Sequence, residues 1–375
     1  MSNWLTDKRT PGRIASFLFM LLLLYAGNTA RGQDGPTRLF RQWDRNNDGY
    51  LTIQEVPVRA RRSFSSIDTN KDGKITLQEH RTAALQRPPN KSGNTPQRSA
   101  PSAWPRTQIK TLKVRQQWHQ EPLGYDRLAY LSIPPKGGTQ RPVVIFFHGN
   151  GGDASRSLNR WRSLSSCILV APQGYQKSWN VSGERSQAPD VQYVRELIAM
   201  IGIECPRADM QNVTLIGSSN GSALIQRLMI ECDEKLFQSA ILLSASLVTE
   251  QYRDGSFWMP SETTKNYDKQ KKPTPGVQVV YFHGTDDRVV PYRGGLRGGQ
   301  HKHLSAQHTT HLWARAFGFQ GKQLDDSAGT VIEKGIVAYR YPLANVVHYK
   351  LIGAGHGAQP YETQVQSIIK RTIDR

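Results

Sequence analysis

The chain has 375 residues, of which 37% are hydrophobic and 21% charged. This length exceeds one comfortable hydrophobic core and predicts two domains of a soluble globular protein. The 49 Lys and Arg residues exceed the 30 Asp and Glu residues, giving a net charge of +19. That excess fits a solvated basic surface or an anionic polymer partner, and no basic motif interleaved with aromatic residues favours nucleic-acid binding.

The N-terminus has the pattern of a secretory signal peptide. Lys8, Arg9 and Arg13 precede an apolar run from Ile14 to Ala26, and small and polar residues follow. The run is short for a membrane span, which needs roughly 20 residues, so an uncleaved membrane anchor is the lesser alternative. Residues 1–32 are therefore predicted to be a signal peptide, cleaved after Ala30 or after Gly32, which leaves no transmembrane span. The protein is expected to be secreted or periplasmic.

Two twelve-residue segments follow, DRNNDGYLTIQE from Asp44 and DTNKDGKITLQE from Asp68. Both fit the EF-hand loop, in which side-chain oxygens, one main-chain carbonyl and a closing glutamate surround Ca²⁺. Ca²⁺ is thus the predicted cofactor, in a structural role. The predicted ligands are Asp44, Asn46, Asp48, the Tyr50 carbonyl and Glu55 in the first loop, and Asp68, Asn70, Asp72, the Lys74 carbonyl and Glu79 in the second.

Apolar residues surround these loops and predict a small core. Leu51 and Ile75 occupy the eighth positions, where paired loops can form a short β-bridge. Residues 36–86 are therefore predicted to be an all-α EF-hand pair, and the Pro- and Ser-rich residues 87–107 a linker. The other predicted core residues are Leu39, Phe40, Trp43, Phe64 and Ile67.

Residues 108–375 alternate short apolar runs with amphipathic stretches. This alternation predicts an α/β domain, with a mostly parallel eight-stranded sheet and helices on both faces. Residues Val248–Pro275 are expected to form an irregular insertion, and whether it is a lid stays open. The predicted strands are Ile109–Gln116, Arg127–Ile133, Val143–Phe147, Cys167–Ala171, Val213–Ile216, Ala240–Ser244, Val277–Phe282 and Val347–Ile352.

The segment NVTLIGSSNGSALIQRL, which begins at Asn212, predicts a nucleophile elbow at Ser219. Gly217 and Gly221 flank this serine, where a sharp strand-to-helix turn needs positive φ and close backbone approach. Such a turn lifts the Ser219 hydroxyl off the sheet and presents backbone N–H groups of the following helix to a developing oxyanion.

Partners for Ser219 are expected beyond the carboxyl ends of other strands. HGTDDRVVPY carries Asp287, and GAGHG carries His356, so the chain order is Ser, Asp, His, as in α/β hydrolases. The HGNGG stretch begins at His148 and predicts an oxyanion loop. The amides of Asn220 and Asn150 are the predicted oxyanion donors, and catalysis needs no cofactor.

Neighbouring residues offer simpler interpretations. Asp286 lies beside Asp287, His348 falls inside a strand and is expected to be structural, and His283 is expected to pack against the sheet end. Cys205 and Cys232 are predicted either to form a disulfide or, with Cys167, to be buried free thiols.

These motifs, with SWN at Ser178–Asn180 and PDVQYVRELI from Pro189, resemble a secreted α/β-hydrolase esterase family that includes polyhydroxybutyrate depolymerase-like and feruloyl esterase-like enzymes. The resemblance covers most of residues 109–356. It implies the α/β-hydrolase fold and a triad of Ser219, Asp287 and His356.

The sequence therefore predicts an exported serine esterase that acts through an acyl-enzyme. Its expected substrates are feruloyl or acetyl esters on polysaccharides, or polyesters, and its expected partner is an anionic polysaccharide or cell-surface polymer. A serine peptidase of the same fold and a non-catalytic calcium-dependent binding protein remain the alternatives.

Overall fold

The computed structural model describes residues 40, 43–44, 46, 48–56, 61, 64–85, 108–135, 140–181, 186–261, 266–296 and 301–374. The chain divides into two compact units, Met1–Ala100 and Pro101–Arg375. The predicted signal peptide and the predicted linker lie outside the described residues, so their bounds stay predictions.

In the small unit, two short strands join the two loops. Strand β1 (Tyr50–Leu51) pairs antiparallel with β2 (Ile75–Thr76), with Leu51 opposite Ile75. Helix α1 (Phe64–Ile67) precedes the second loop, and α2 (Leu77–Leu85) follows it. The predicted β-bridge and small core are confirmed, while Leu39 lies outside the described residues. The buried core residues are Phe40, Leu51, Val56, Phe64, Ile67 and Ile75.

The large unit is built around a ten-stranded sheet. Its strands are β3 (Gln108–Trp118), β4 (Glu121–Ile133), β5 (Arg141–Phe147), β6 (Ile168–Pro172), β7 (Ala208–Ser218), β8 (Ser239–Leu243), β12 (Gln278–Gly284), β15 (Thr330–Glu333), β16 (Ile336–Tyr341) and β17 (Val346–Leu351). Their order in the sheet is β15-β16-β17-β12-β8-β7-β5-β6-β4-β3. The six strands from β17 to β6 in this order are parallel, and antiparallel strands flank them at both edges.

Helices cover both faces of this sheet. They are α3 (Ala154–Arg160), α4 (Asp190–Glu204), α5 (Asn220–Glu231), α6 (Ala306–Ala316) and α7 (Glu362–Ile373). Apolar residues of α4, α5 and α6 pack in one buried cluster with one set of strand side chains, and those of α3 and α7 pack in a second cluster. Central strands buried on both faces explain the continuous apolar runs in the sequence.

This strand order, with antiparallel β4 and helices on both faces, is the α/β-hydrolase arrangement, so the predicted fold is confirmed. All eight predicted strands are present. The structure adds β15 and β16, a hairpin at the sheet edge that the sequence analysis missed. β15 is short and largely exposed, with Val331 69% exposed, whereas β16 contains an apolar run that the prediction overlooked.

The prediction of an irregular insertion at Val248–Pro275 is wrong. Three antiparallel strands form a small separate sheet there, and Phe257 packs against the Trp313 ring at 5.0 Å between centroids. They are β9 (Tyr252–Arg253), β10 (Ser256–Pro260) and β11 (Tyr267–Lys271). Two further short strands, β13 (Gly295–Leu296) and β14 (Lys302–His303), pair with each other.

The predicted Cys205–Cys232 disulfide is also wrong. Cys167, Cys205 and Cys232 are all free and buried. The alternative prediction of buried free thiols is confirmed, and burial among apolar neighbours raises the pKa of the Cys232 thiol to about 12.

Candidate active site

The predicted elbow lies between β7 and α5. Ser219 adopts φ 52° and ψ −118°, a backbone conformation that costs a non-glycine residue about 1–3 kcal/mol. The Ser219 amide donates to the Leu243 carbonyl at 2.8 Å. The Ser222 hydroxyl donates to the same carbonyl at 3.0 Å and accepts from the Leu243 amide at 2.9 Å. These bonds to β8 hold the strained turn in place.

The two glycines of the elbow are required for close approach, whereas the positive φ that the sequence analysis assigned to the turn belongs to Ser219. A Cβ at Gly221 would lie 2.2 Å from the Phe147 carbonyl oxygen, and one at Gly217 would lie 2.5 Å from the Ser222 Cα. A larger residue at Gly221 would force the turn away from the end of β5, and one at Gly217 would force β7 away from the start of α5.

The structure brings Ser219, His356 and Asp287 together. The Ser219 Oγ lies 2.9 Å from the His356 Nε2, and the His356 Nδ1 lies 2.9 Å from the Asp287 Oδ2. His356 is partly exposed, while the Asp287 side chain is buried. The three side chains form one hydrogen-bonded chain that leads from solvent to a buried carboxylate.

Asp287 remains a carboxylate despite its burial. Burial alone raises the pKa of this group. Hydrogen bonds from His283, from His356 and from the amides of Val290 and Val289 outweigh burial and hold the pKa of Asp287 well below its ordinary range. A permanently ionised carboxylate is the partner that a histidine base needs in order to keep its orientation and to stabilise its protonated form.

The loops that carry Asp287 and His356 lie directly against each other. The Asp286 amide donates to the Ala354 carbonyl at 2.9 Å, and the Gly353 amide donates to the Thr285 Oγ1 at 2.8 Å. A Cβ at Gly284 would lie 2.2 Å from the Ala354 carbonyl oxygen. This close approach fixes the spacing between the acid and the base.

The HGNGG loop is oriented by the buried ring of His148. The His148 Nδ1 lies 2.8 Å from the Gly149 carbonyl, which can only accept, so Nδ1 carries the proton. The Nε2 accepts from the Gly174 amide at 3.0 Å. Burial lowers the pKa of His148 and keeps the ring neutral. Because the Gly149 carbonyl points to this ring, the Asn150 N–H points to the opposite side of the trans peptide.

The Asn220 side chain secures the start of α5. Its Oδ1 accepts from the Trp179 amide at 2.7 Å, and its Nδ2 donates to the Trp179 carbonyl at 3.0 Å. The Trp179 indole in turn donates to the His148 carbonyl at 2.8 Å. The Ser219 carbonyl accepts from Ala223, so the Asn220 N–H points outward from the helix start. The sequence analysis used the Asn220 amide and missed this side-chain clamp.

The other candidate residues near the triad differ in burial and in hydrogen-bond partners. Asp286 is exposed and accepts from the Thr285 hydroxyl. His348 is fully buried within β17, as expected of a structural residue. His283 is fully buried at the end of β12, and its Nε2 lies 3.3 Å from the Asp287 Oδ2. The sequence predicts a packing role for His283 and gives no sign of its contact with the acid.

The EF-hand loops repeat one hydrogen-bond pattern. The Asp44 carboxylate accepts from the Gly49 amide at 3.1 Å, and the Asp68 carboxylate accepts from the Gly73 amide at 3.0 Å. In both loops the Asn side chain accepts from the amide two residues on. The closing glutamates accept from the amide and hydroxyl of Thr52 and of Thr76. The described residues of the two loops therefore share this hydrogen-bond pattern around the predicted ligands.

The second loop carries two further electrostatic features. Hydrogen bonds, chiefly from the Thr76 amide, lower the pKa of Glu79 to about 2. The Asp68 Oδ1 is buried and has no hydrogen-bond partner among the described residues. The described residues hold no cluster of three His, Cys, Asp or Glu side chains suited to a metal ion. The EF-hand ligand set differs from such a cluster, because amide and main-chain oxygens supply part of it.

Of the helices that the structure describes, none combines the length and the apolar character needed to cross a membrane.

One family model and several solved structures match parts of this chain. An EF-hand family model matches residues 61–81, which include the second loop. No curated protein sequence matches the chain.

Several solved structures are similar to this chain. An acetyl xylan esterase from Aspergillus awamori shares 15% identity at a TM-score of 0.46, over 69% of this chain and 98% of that chain. A poly(3-hydroxybutyrate) depolymerase from Bordetella parapertussis shares 16% identity at a TM-score of 0.41, over 65% of this chain and 83% of that chain. A puromycin-hydrolyzing peptidase from Mycobacterium tuberculosis shares 16% identity at a TM-score of 0.43, over 72% of this chain and 38% of that chain. At such identities a likeness concerns the fold alone, and the fold assignment rests on the strand order described above.

Proposed function

We propose that the large unit is a serine hydrolase of carboxylic esters, with Ser219 as nucleophile, His356 as base and Asp287 as the orienting acid. The observation that carries this proposal is the continuous chain of hydrogen bonds from the strained Ser219 to the buried Asp287 carboxylate, with both distances at 2.9 Å. A serine hydroxyl is a poor nucleophile alone, and an adjacent oriented base is what activates it.

The reaction follows from these positions. Ser219 Oγ attacks the ester carbonyl carbon while His356 Nε2 takes the hydroxyl proton. The oxygen that becomes negative receives the N–H groups of Asn220 and Asn150. His356 then gives the proton to the leaving alcohol, which leaves an acyl group on Ser219. Water, activated by the same histidine, hydrolyses this acyl-enzyme and restores Ser219.

The proposed substrates are feruloyl or acetyl esters on polysaccharides, or polyesters. The family resemblance supports this class, and the net charge of +19 suits an anionic polysaccharide or cell-surface polymer as partner. Binding of such a polymer should weaken as salt is raised. Salt-independent binding would contradict the electrostatic part of the proposal.

The small unit is proposed to bind Ca²⁺ through its two loops. Aspartate, asparagine and glutamate oxygens are the donors that Ca²⁺ prefers. The buried Asp68 Oδ1, which lacks a hydrogen-bond partner among the described residues, fits a cation at the second loop. Bound Ca²⁺ would neutralise the loop carboxylates and stabilise the small unit, with no part in the ester chemistry.

Export follows from the signal-peptide pattern of residues 1–32, and a secreted or periplasmic location belongs to the proposal. Free Ca²⁺ outside the cytosol would fill even weak sites, which supports a structural role for the metal.

The deciding experiment is hydrolysis of p-nitrophenyl acetate by the mature protein and by Ser219→Ala. We expect kcat to fall at least about 10⁴-fold in Ser219→Ala. A fluorophosphonate probe should label the wild-type protein at Ser219, and the neighbouring variant Ser218→Ala should still be labelled.

The same assay with an alanine p-nitroanilide separates ester from peptide chemistry. Faster turnover of the anilide would favour a serine peptidase over an esterase. If the folded wild-type protein neither turns over any substrate nor reacts with the probe, the proposal fails and a binding function takes its place.

A further inference from the structure

The Asp287 carboxylate has a second imidazole partner on the side away from Ser219. The Asp287 Oδ2 lies 2.9 Å from the His356 Nδ1 and 3.3 Å from the His283 Nε2. The Oδ1 accepts from the amides of Val289 at 2.8 Å and Val290 at 2.9 Å. His283 is fully buried, so no solvent competes for this contact. One carboxylate oxygen is therefore shared between two histidines.

The neighbours of His283 determine where its proton lies. The His283 Nε2 is 2.8 Å from the Val290 carbonyl and 3.3 Å from the Asp287 carboxylate. A carbonyl and a carboxylate can only accept hydrogen bonds, so Nε2 carries the proton and shares it between them. This hydrogen links the acid to the main chain of its own loop.

The other nitrogen of His283 is fixed by a tyrosine. The Tyr281 hydroxyl lies 2.9 Å from the His283 Nδ1, and because Nδ1 is bare in this tautomer, the hydroxyl donates to it. The Ser246 hydroxyl lies 3.1 Å from the Tyr281 hydroxyl and can supply the next hydrogen bond. All three residues are buried. The chain of hydrogen bonds thus runs from Ser246 through Tyr281 and His283 to the acid.

We propose that His283 is a positioning residue of the active site, which holds Asp287 in place and takes part of the negative charge that Asp287 presents to His356. This inference rests on the proposed serine-hydrolase function. His283 touches neither the nucleophile nor the position of the substrate, so it acts through Asp287 alone.

Removal of the His283 donor should shift the pH profile of the enzyme in one defined direction. Without that hydrogen bond, the charge of Asp287 Oδ2 acts on His356 alone and favours its protonated form. The acid limb of kcat/KM, which reports protonation of the base in the free enzyme, then moves to higher pH. The titratable groups that act on Asp287 are His283, His356 and, through space, His303 and Tyr281. Of these, only His283 is changed in the test.

The chain offers a matched control on the neighbouring strand. His348 is also fully buried, on β17, which pairs with β12. Neither of its ring nitrogens has a hydrogen-bond partner among the described residues, and burial lowers its pKa to about 3. His348→Leu removes a buried imidazole of the same size without removing a hydrogen bond to Asp287.

The experiment compares His283→Leu, His283→Gln and His348→Leu with the wild-type protein. For His283→Leu we expect kcat to fall about tenfold, KM to stay within about twofold, and the acid limb to rise by about half a pH unit. His283→Gln keeps an N–H donor at the end of the side chain and should recover most of kcat and the wild-type acid limb. His348→Leu should match the wild-type protein in both.

NMR spectroscopy tests the same contact without any substrate. Nitrogen NMR of the wild-type protein should show His283 as the neutral Nε2–H tautomer. The imidazole of His356 should titrate at higher pH in His283→Leu than in His348→Leu.

The outcomes separate the two proposals. An unchanged acid limb in His283→Leu, an equal effect of His348→Leu, or the Nδ1–H tautomer in the wild-type protein would each overturn the positioning role. If His283→Leu does not fold, the tautomer and the His283→Gln profile decide. A wild-type protein without ester turnover would overturn the proposed function, and the NMR result would still test the contact between His283 and Asp287.

Discussion

The two units of this protein build their sites in opposite ways. Each EF-hand loop has its predicted ligands within twelve contiguous residues, and the hydrogen bond from the glycine amide to the first aspartate occurs in both loops. In the large unit, the Ser219–His356 contact joins residues 137 positions apart, and the His356–Asp287 contact joins residues 69 apart. One site is local, and the other exists only when distant strand ends meet.

This difference predicts different responses to change. A local site tolerates rearrangement elsewhere, because its geometry is set by its own turns. An assembled site depends on every contact that sets the spacing between its loops, such as the close approach of Gly284 to Ala354. Substitutions at the two sites should therefore change turnover to very different extents.

Asp287→Asn should give the largest loss. An asparagine can donate to His356 and hold the wrong tautomer, so we expect kcat to fall about 10⁴-fold while the melting temperature stays near that of the wild-type protein. Asp286→Asn is the matched control, because Asp286 is adjacent but exposed, and it should keep nearly full activity. Equal losses in both variants would contradict the assignment of the acid.

Glu79→Gln tests whether the local site acts alone. Loss of the closing carboxylate should weaken Ca²⁺ binding at the second loop about 10- to 100-fold, measured by calorimetry. Glu55→Gln should do the same at the first loop. We expect ester hydrolysis to stay within about twofold of wild type in both variants and in EDTA. A large loss of turnover on Ca²⁺ removal would contradict the independence of the two sites.

Asn220→Ala probes how an assembled site is held together. It removes both hydrogen bonds to the Trp179 main chain and loosens the start of α5 beside the nucleophile. We expect kcat to fall about tenfold with little change in KM, because the oxyanion donors act mainly in the transition state. Asn159→Ala, at an exposed site on α3, should be indistinguishable from wild type.

The smallest effect on turnover is expected for the last change, which concerns the acid stability of the small unit. Burial lowers the pKa of His80 to about 4, so between about pH 6.5 and 4 the unfolded chain binds a proton that the folded unit does not. Stability should therefore fall as pH drops through this window, by up to about 3 kcal/mol at about 1.4 kcal/mol per unit of pKa shift. Amide NMR signals of the small unit can follow the loss. His80→Phe should flatten it, and an unchanged slope in that variant would assign the effect to other groups.

A second acid window belongs to Glu79. Its pKa is lowered to about 2, so its contribution is complete above about pH 4.5 and is lost as pH falls towards 2. Because this window lies below that of His80, the two contributions can be separated in one pH series.

Much of both sites is predictable from the sequence. Ser219, Asp287 and His356 follow from motifs at strand ends and from their order along the chain, and the structure brings all three together. The loop ligands follow from a spacing that a turn of fixed shape requires. In each case the signal lies in short segments whose chemistry and spacing can be read without knowing their neighbours.

Other features depend on partners that are distant in sequence. The Tyr281–His283 segment looks like an ordinary strand end, and only the packing of the 284–290 loop shows that His283 contacts Asp287. The Asn220 side chain meets Trp179 across 41 positions, which no motif connects. Strand β15 lacks a strong apolar pattern because it faces solvent, and the apolar residues of β16 become buried only when this strand pairs with β17.

The sequence by itself therefore determined the fold class, the candidate triad and the two EF-hand loops, because apolar periodicity, turn residues and ligand spacing are local properties. Tertiary structure alone decided which buried groups share the Asp287 carboxylate, which main-chain groups the His148 ring and the Asn220 side chain bind, and that the three cysteines remain unpaired. Those features depend on distances between segments that only the packed sheet brings together.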